Sequence, residues 1–388
     1  MRLGTFNVWG LPESFSDDVS SRMREIARRL EASDLDVLMI QEAWTPEVRR
    51  TIRQGARKAG FEVSKGAGAS GGLMTLSRLP IRSSRFDRFR FRGDPERLTR
   101  GEYLGGKGFE IVDLEGPDGP FTLMNTHLHS RYSATDSTLD SAVRTAQLLE
   151  IVAAVHAQSG TVVVGGDFNF KADDPEFEIF GGLTGVVDLG HGLALGTVSS
   201  TNFYKRHRQG PDKRIDFIFV RPGAGVAFEA RDPRLLFAET ARIRQRDRSL
   251  SDHFGFRVEL ALDVSTARAM PARGGTEIRI DPRAVSIARS LLTRGLVEAD
   301  SREREHFRWA GGFVVAAVAA AGLQRHPSVD RRAFLRGAAR ATSVLALAPA
   351  LGFGALARVD SDHKRDIFAD ARSFVADLEA RYLQTHST

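Results

Sequence analysis

A chain of 388 residues, 42% apolar and 27% charged, is too apolar for disorder and longer than one core usually serves, so a catalytic-sized domain with an appendage is expected. It contains no cysteine, which excludes disulfides, thiolate metal sites and a cysteine nucleophile. A net charge of +6 and a pI of about 9.9 favour anionic partners, whether phosphates, nucleic acid or an acidic lipid surface.

The opening "MRLGTFNVWG" lacks the charged-then-apolar pattern of a secretion signal and reads as a first strand. Short apolar runs follow, "LDVLMIQ", "GLMTLS", "GFEIVDL", "FTLMNTHL", "TVVVGGDFN", "RIDFIFV" and "FRVELAL", separated by Gly, Pro and Asp turns. Helical spacing recurs at Met23, Ile26, Ala27 and Leu30, and again at Val143, Leu148, Ile151, Val152 and Val155. This alternation predicts an α/β domain over residues 1–262. A linker and amphipathic helix are expected over 263–303, an apolar helical hairpin over 304–360 and an amphipathic helix over 361–388. No repeat period is evident.

Polar residues interrupt the strand ends: Asn7 after "LGTF", Glu42 after "DVLMIQ", His127 after "FTLMNT", Asp167 and Asn169 after "TVVVGG", Asp216 inside "RIDFIFV", and Asp252 with His253 before "FGFRVEL". Any one alone is most often a turn residue or a cap. The set is the signal, because ligand sites in α/β folds gather where loops bring strand ends together. A hard cation such as Mg²⁺ takes carboxylate and amide oxygens, which suits Glu42, Asn7 and Asp252. Asn169 and a protonated His127 are donors for phosphate oxygens. His253 is the candidate base for an attacking water, since histidine titrates nearest neutral pH. Residues two apart on a strand face the same way, so Asp167 and Asn169 are expected to aim a carboxylate at the water and an amide at the phosphate. Gly165 and Gly166 are expected to let backbone and substrate approach closely.

"TFNVWG", "IQEAW", "NTHLHSRY", "GGDFN", "RIDFIF" and "LSDHFGF", in this order, resemble the endonuclease/exonuclease/phosphatase superfamily of divalent-metal phosphodiesterases. The resemblance implies a four-layer α/β sandwich, two central mixed sheets flanked by helices. It makes Glu42 the main ligand of Mg²⁺, or of Mn²⁺ as a substitute, with Asn7 and Asp252 near the metal. His253 becomes the general base oriented by Asp216, Asp167 positions the water, Asn169 binds phosphate, and His127 stabilises the transition state or assists the leaving group. "FNVWGLP", "SGGLMTLSRLPI", "NTHLHSRY" and "GGKGF" are most similar to neutral sphingomyelinases, which implies cleavage of sphingomyelin or a related choline phospholipid to ceramide and phosphocholine. By that match Lys107 contacts the lipid phosphate or orders the active-site loop, against the alternative of a solvated lysine in a Gly-rich turn. His129 reads as a local hydrogen-bonding residue, and Trp9 and Trp44 as packing residues rather than a choline cage. Arg131 stands where the family block carries an acid.

Two uncharged runs, Trp309 to Leu323 and Ser343 to Ala357, are each about 15 residues, roughly 22 Å as helix. That is short of a hydrocarbon core of ~30 Å. Such neutral sphingomyelinases also carry a C-terminal apolar helix pair followed by an amphipathic piece, which "DIFADARSFVADLEARYL" resembles. The connector between the runs carries Arg325, Arg331, Arg332, Arg336 and Arg340, which the positive-inside rule keeps cytoplasmic. A shallow hairpin on an anionic membrane surface, with the catalytic domain cytoplasmic, reconciles charge with the missing signal. The internal "DRRAFLRG" has the form of a twin-arginine signal but lies where such signals are not read. A Mg²⁺-dependent endonuclease, exonuclease or phosphatase of the same superfamily is the alternative, and a non-catalytic membrane adaptor is the alternative of another class. Oligomeric state is not legible.

Overall fold

The computed structural model describes residues 1–65, 71–91, 105–131, 138–192, 196–263, 278–324 and 362–384, with the single positions 355 and 358; for 320–324 only the backbone is described. The sequence-predicted linker to Gly275, the arginine connector and all but position 355 of the second apolar run lie outside these residues.

Two six-stranded sheets form the centre. The first has the order β11-β14-β1-β2-β4-β3, built from β1 (Arg2–Asn7), β2 (Val37–Gln41), β3 (Glu62–Val63), β4 (Met74–Ser77), β11 (Ala227–Leu236) and β14 (Gly255–Asp263). The second has the order β5-β6-β7-β8-β10-β9, from β5 (Ile81–Arg88), β6 (Gly108–Gly116), β7 (Gly119–His127), β8 (Val162–Asp167), β9 (Val187–Asp188) and β10 (Asp216–Arg221). A small hairpin, β12 (Ala241–Ile243) with β13 (Arg246–Arg248), stands apart.

The inner strands are buried along their whole length, as "VLMIQ" and "VVVGGD" are, because each sheet is covered on both faces. Between the sheets lie Leu3, Met39, Val112, Leu123, Val163, Ile218 and Val258. The outer face of the first sheet is covered by α1 (Val19–Ala32) and α2 (Pro46–Lys58), through Met23, Ile26, Leu30, Val48 and Ile52. Thr45 caps α2, its Oγ1 accepting from Val48 N at 3.2 Å, and Pro46 occupies the first turn, where its missing N–H costs nothing. The outer face of the second sheet is covered by α3 (Thr138–His156), α4 (Pro175–Thr184), the first half of α5 (Pro282–Gln324) and α6 (362–384). The result is the four-layer α/β sandwich expected.

The C-terminal helices divide by face. Ala284, Val285, Ala288, Leu291 and Leu292 of α5, with Ile367, Phe368, Ala371, Val375 and Leu378 of α6, join the core beneath the second sheet. α5 then runs on without a break into the first apolar run, where Trp309, Val315 and Val318 are exposed. Among the described residues no helix is long and apolar enough to cross a membrane.

Register places the polar strand ends together. β1 runs parallel to β2, pairing Asn7 with Gln41. β7 runs parallel to β8, pairing His127 with Asp167, and β8 runs antiparallel to β10, pairing Asp167 with Asp216. His127, Asp167 and Asp216 therefore lie in one row across three neighbouring strands. Asp216 opens β10 rather than sitting within it. The two glycines serve the scaffold instead of the substrate: a Cβ at Gly165 would come within 2.4 Å of Met39 in the other sheet, and one at Gly166 within 2.0 Å of the Thr126 carbonyl.

Candidate active site

Asn7 bridges the two sheets. Its Nδ2 donates to Glu42 Oε1 and to Asp167 Oδ2, each at 3.0 Å. Glu42 follows β2 with φ +60°, and Asn169 follows β8 with φ +55°. Both hold the left-handed conformation, which is costly for glutamate and tolerated by asparagine, and such strain clusters where surrounding structure fixes a functional geometry. The Glu42 carbonyl accepts from Gly10 N at 3.0 Å, which anchors the strained peptide.

Asp167 is the hub. Its Oδ2 lies 3.6 Å from His127 Nε2 and 3.9 Å from His253 Nδ1, and its Oδ1 accepts from Asn169 N at 3.0 Å. His253 Nδ1 lies 3.0 Å from Asp216 Oδ2. Asn169 Nδ2 donates to Leu128 O at 3.1 Å. Lys107 is buried, with Nζ 3.0 Å from His127 Nε2 and donating to Leu128 O at 2.9 Å and Ser130 Oγ at 3.1 Å, so it is not a solvated turn lysine. Asp252 neighbours His253 and pairs with Lys205 Nζ at 2.8 Å. All nine sequence-predicted site residues converge on this one cluster.

The charges are heavily perturbed. Burial, reinforced by Asp252, raises the Glu42 carboxyl to about 7. Burial with Asp216 raises Asp167 to about 6. Burial alone would depress His253, but Asp216 and Asp167 outweigh it and hold the imidazolium up to about 10. Asp252 moves the other way, its burial overcome by His253 and Lys205. Three acids surround the His253 ring and raise its pKa above the near-neutral value expected of an isolated histidine.

Residues around the cluster do different work. His129 Nε2 lies 3.4 Å from Asp140 Oδ1 and its N donates to Gln147 Oε1 at 2.8 Å, the local bonding expected of it. Trp9 packs with the Tyr204 ring at 5.2 Å and under the Arg22 guanidinium at 4.9 Å, and the Trp44 ring lies 6.5 Å from that of His127. Arg131 pairs with Asp174. Sequence reasoning missed Lys205, because a lysine in "NFYKRHR" carries no positional signal. It also missed Arg22, fully buried inside an amphipathic helix, whose Nη1 donates to Val8 O at 2.8 Å and to Leu250 O at 3.0 Å.

The donor set suits a hard divalent cation. Glu42, His127 and Asp167 bring ligand atoms within 4.8 Å of one another, as do Asp167, Asp216 and His253. Asp216 Oδ1 is buried with no hydrogen-bond partner among the described residues. Buried carboxylates packed this closely need positive charge to offset them, and their oxygens are the ligands Mg²⁺ prefers.

The chain is 26% identical over 300 residues to an inositol phosphosphingolipids phospholipase C of Schizosaccharomyces pombe, covering 68% of this chain and 69% of that one. It is 28% identical over 272 residues to a putative neutral sphingomyelinase of Drosophila melanogaster, covering 66% and 60%. The fold matches beta toxin from Staphylococcus aureus with a TM-score of 0.54 at 18% identity, over 67% of this chain and 99% of that one. The signature of the Endonuclease/Exonuclease/phosphatase family covers residues 4–253, a span that holds the whole cluster from Asn7 to His253, and the chain belongs to that family of phosphodiester-cleaving hydrolases.

Proposed function

We propose that the chain hydrolyses sphingolipid phosphodiesters in the manner of a phospholipase C, releasing ceramide and a phosphorylated headgroup, with Mg²⁺ as its cation. The observation that carries this reading is the Asp167 hub, which puts one carboxylate oxygen within 4 Å of both His127 and His253. The names of the relatives supply the lipid class.

Glu42, Asn7 and Asp252 are the residues that would hold the cation, which when bound polarises the phosphodiester toward attack. Asp216 orients His253 and stabilises its charged form, so His253 takes the proton from water once the carboxylate field around it is offset. Asp167 accepts from that water and fixes its line to phosphorus. Asn169 holds a phosphate oxygen, Lys107 orders the loop through Leu128 O and Ser130 Oγ, and His127 stabilises the charge that develops in the transition state, the departing alkoxide of ceramide taking its proton from water.

Membrane association is part of the proposal. Phe307, Trp309, Val314, Val315 and Val318 are exposed along the distal part of α5, apolar surface that suits contact with lipid, with the catalytic domain on the cytoplasmic side. The test is headgroup release from vesicles of sphingomyelin or of inositol phosphosphingolipid by the full chain in Mg²⁺ and then in EDTA. Metal-dependent ceramide production is the expected result. Plasmid nicking without ceramide production would replace this reading by the nuclease one.

A further inference from the structure

An all-apolar filling between the two sheets would leave no polar group to desolvate, yet the layer beneath the site is polar. Thr5, Gln41, Thr75, Glu110 and Asn125 are all fully buried there. Residues two apart on a strand face the same way, so Thr5 lies beneath Asn7 and Asn125 beneath His127, one step of about 7 Å below the catalytic row. Gly165, which pairs with Asn125 in register, lies in the same way beneath Asp167.

Asn125 crosses from the second sheet into the first. Its Nδ2 donates to Ile40 O and Met74 O, each at 3.2 Å, and these two residues form the last pair of the β2–β4 ladder. Its Oδ1 accepts from Gln41 Nε2 at 2.8 Å, and the same nitrogen donates to Thr5 Oγ1 at 3.1 Å. Backbone carbonyls only accept, so they fix which end of the Asn125 amide is nitrogen, and the other end is left for Gln41. Thr75 Oγ1 donates in turn to Glu110 Oε2 at 2.8 Å, which extends the network to β6. These bonds meet where β2 ends: Gln41 is its final residue, and Glu42, next in the chain, holds φ +60°.

A strained residue keeps its conformation only where its surroundings over-determine it. Gly10 N holds the Glu42 carbonyl on one side, and Asn125 holds Ile40 and Gln41 on the other. We propose that Asn125, acting with Gln41, is a positioning residue for the cation site. It clamps the end of β2 to β7, so that Glu42 keeps its turn and its carboxylate keeps its place 3.9 Å from His127 Nε2. Asn125 acts through Glu42 and reaches neither cation nor substrate. The inference rests on the reading of Glu42 as a residue that holds the cation.

The test is the Kd for Mn²⁺ of the full chain, measured by titration calorimetry without substrate and at mildly alkaline pH. Asn125→Ala takes a partner from Ile40 O, Met74 O and Gln41 Nε2 at once, and should raise that Kd roughly 10–100-fold, the usual effect of removing a residue that orients a metal ligand. Gln41→Met preserves length and volume while removing the bond to Asn125, and should raise it less, in the same direction; this variant answers if Asn125→Ala does not fold. Leu123→Ala opens the same layer between the sheets, two residues away on β7, and should lose stability while keeping the wild-type Kd. A wild-type Kd in the folded Asn125 and Gln41 variants, or an equal rise in Leu123→Ala, overturns the positioning role and leaves the cation site standing. A wild-type chain that binds no Mn²⁺, or whose Kd is unmoved by Glu42→Gln, overturns the cation reading and the clamp with it.

Discussion

Asp216 Oδ2 lies 3.0 Å from His253 Nδ1, with the carboxylate fully buried and the ring 8% exposed. Water does not compete for this bond, so Asp216 fixes the ring plane and, in the neutral ring, keeps the proton on Nδ1 and leaves Nε2 as the basic nitrogen. Asp216→Asn preserves the shape and removes the charge. It is expected to lower kcat by ~10²–10⁴-fold, the usual span of acid–base assistance. Because Asp216 raises the His253 pKa, its removal should also move the acidic limb of the pH–rate profile to lower pH. A profile that falls in height without moving would assign Asp216 to the scaffold alone.

Glu42 couples the site to pH in the opposite sense. Its carboxyl is raised from 4.5 to about 7 by burial and by Asp252, so the folded chain retains that proton after the unfolded chain has lost it. Stability from this group is therefore intact below pH 4.5 and falls as pH rises toward 7, by on the order of 3 kcal/mol in the cation-free chain. A divalent cation must displace the same proton, and its affinity should climb through that interval. Thermal unfolding with and without Mn²⁺ is expected to show a small shift at pH 5.5 and a large one at pH 8. Glu42→Gln should flatten the pH dependence of both. An equal Mn²⁺ shift at the two pH values would remove Glu42 from the cation site.

Much of this site was legible because it follows chain direction. Asn7, His127 and Asp167 end apolar runs, and β1, β2, β7 and β8 all deliver their C-terminal ends to one rim. Asp252 and His253 precede a run instead, and the antiparallel pairing of β14 with β1 returns them to the same place. What escaped depends on three-dimensional charge. The His253 ring was expected to titrate near neutrality from its type, but its pKa is set by Asp216 and Asp167, far away in sequence. Lys205 belongs to an irregular segment with no periodicity to read. The role of the "GG" pair was misjudged for a related reason: whether a missing Cβ faces substrate or a neighbouring strand depends on sheet packing, and here Met39 and Thr126 take the space.

That packing makes a contrast between two glycines. At Gly166 the backbone has φ +146°, and a Cβ would lie 2.0 Å from the Thr126 carbonyl oxygen, which belongs to the rigid β7 ladder and cannot swing aside. Gly166→Ala is expected to cost at least about 3 kcal/mol by urea unfolding, combining backbone strain with the clash. At Gly160 nothing lies within 4 Å of the added carbon, and Gly160→Ala should stay within about 0.5 kcal/mol of wild type. Equal stabilities would mean that β7 and β8 are not in the register that sets His127 beside Asp167.

The exposed end of α5 separates lipid contact from chemistry. Trp309, Val315 and Val318 are 57%, 68% and 66% exposed and lie on the part of the helix beyond the core contacts. Replacing all three by Gln should leave the fold's stability near wild type, since no buried contact is lost, while lowering co-sedimentation with anionic vesicles. Turnover of a soluble phosphodiester should be retained. Unchanged vesicle binding would move the lipid-contacting surface away from α5.

Arg22 tests whether the site is held as a unit. Its guanidinium is fully buried and donates to Val8 O, Trp9 O and Leu250 O as well as to Ser16 Oγ, tying the loop after Asn7 to the loop before Asp252. Arg22→Met fills a similar length but leaves those carbonyls unpaired away from water, which should cost roughly 3 kcal/mol or more. Arg22→Lys retains the charge with a point donor in place of a planar fork and should fall between. The informative quantity is the Mg²⁺ concentration giving half-maximal rate, measured well below the melting temperature of each variant. Asn7 and Asp252 are both among the residues that would hold the cation, so loosening their connection should raise that concentration in the order wild type, Lys, Met. Variants that lose stability yet keep the wild-type Mg²⁺ dependence would show that the two loops find their positions without the buried arginine.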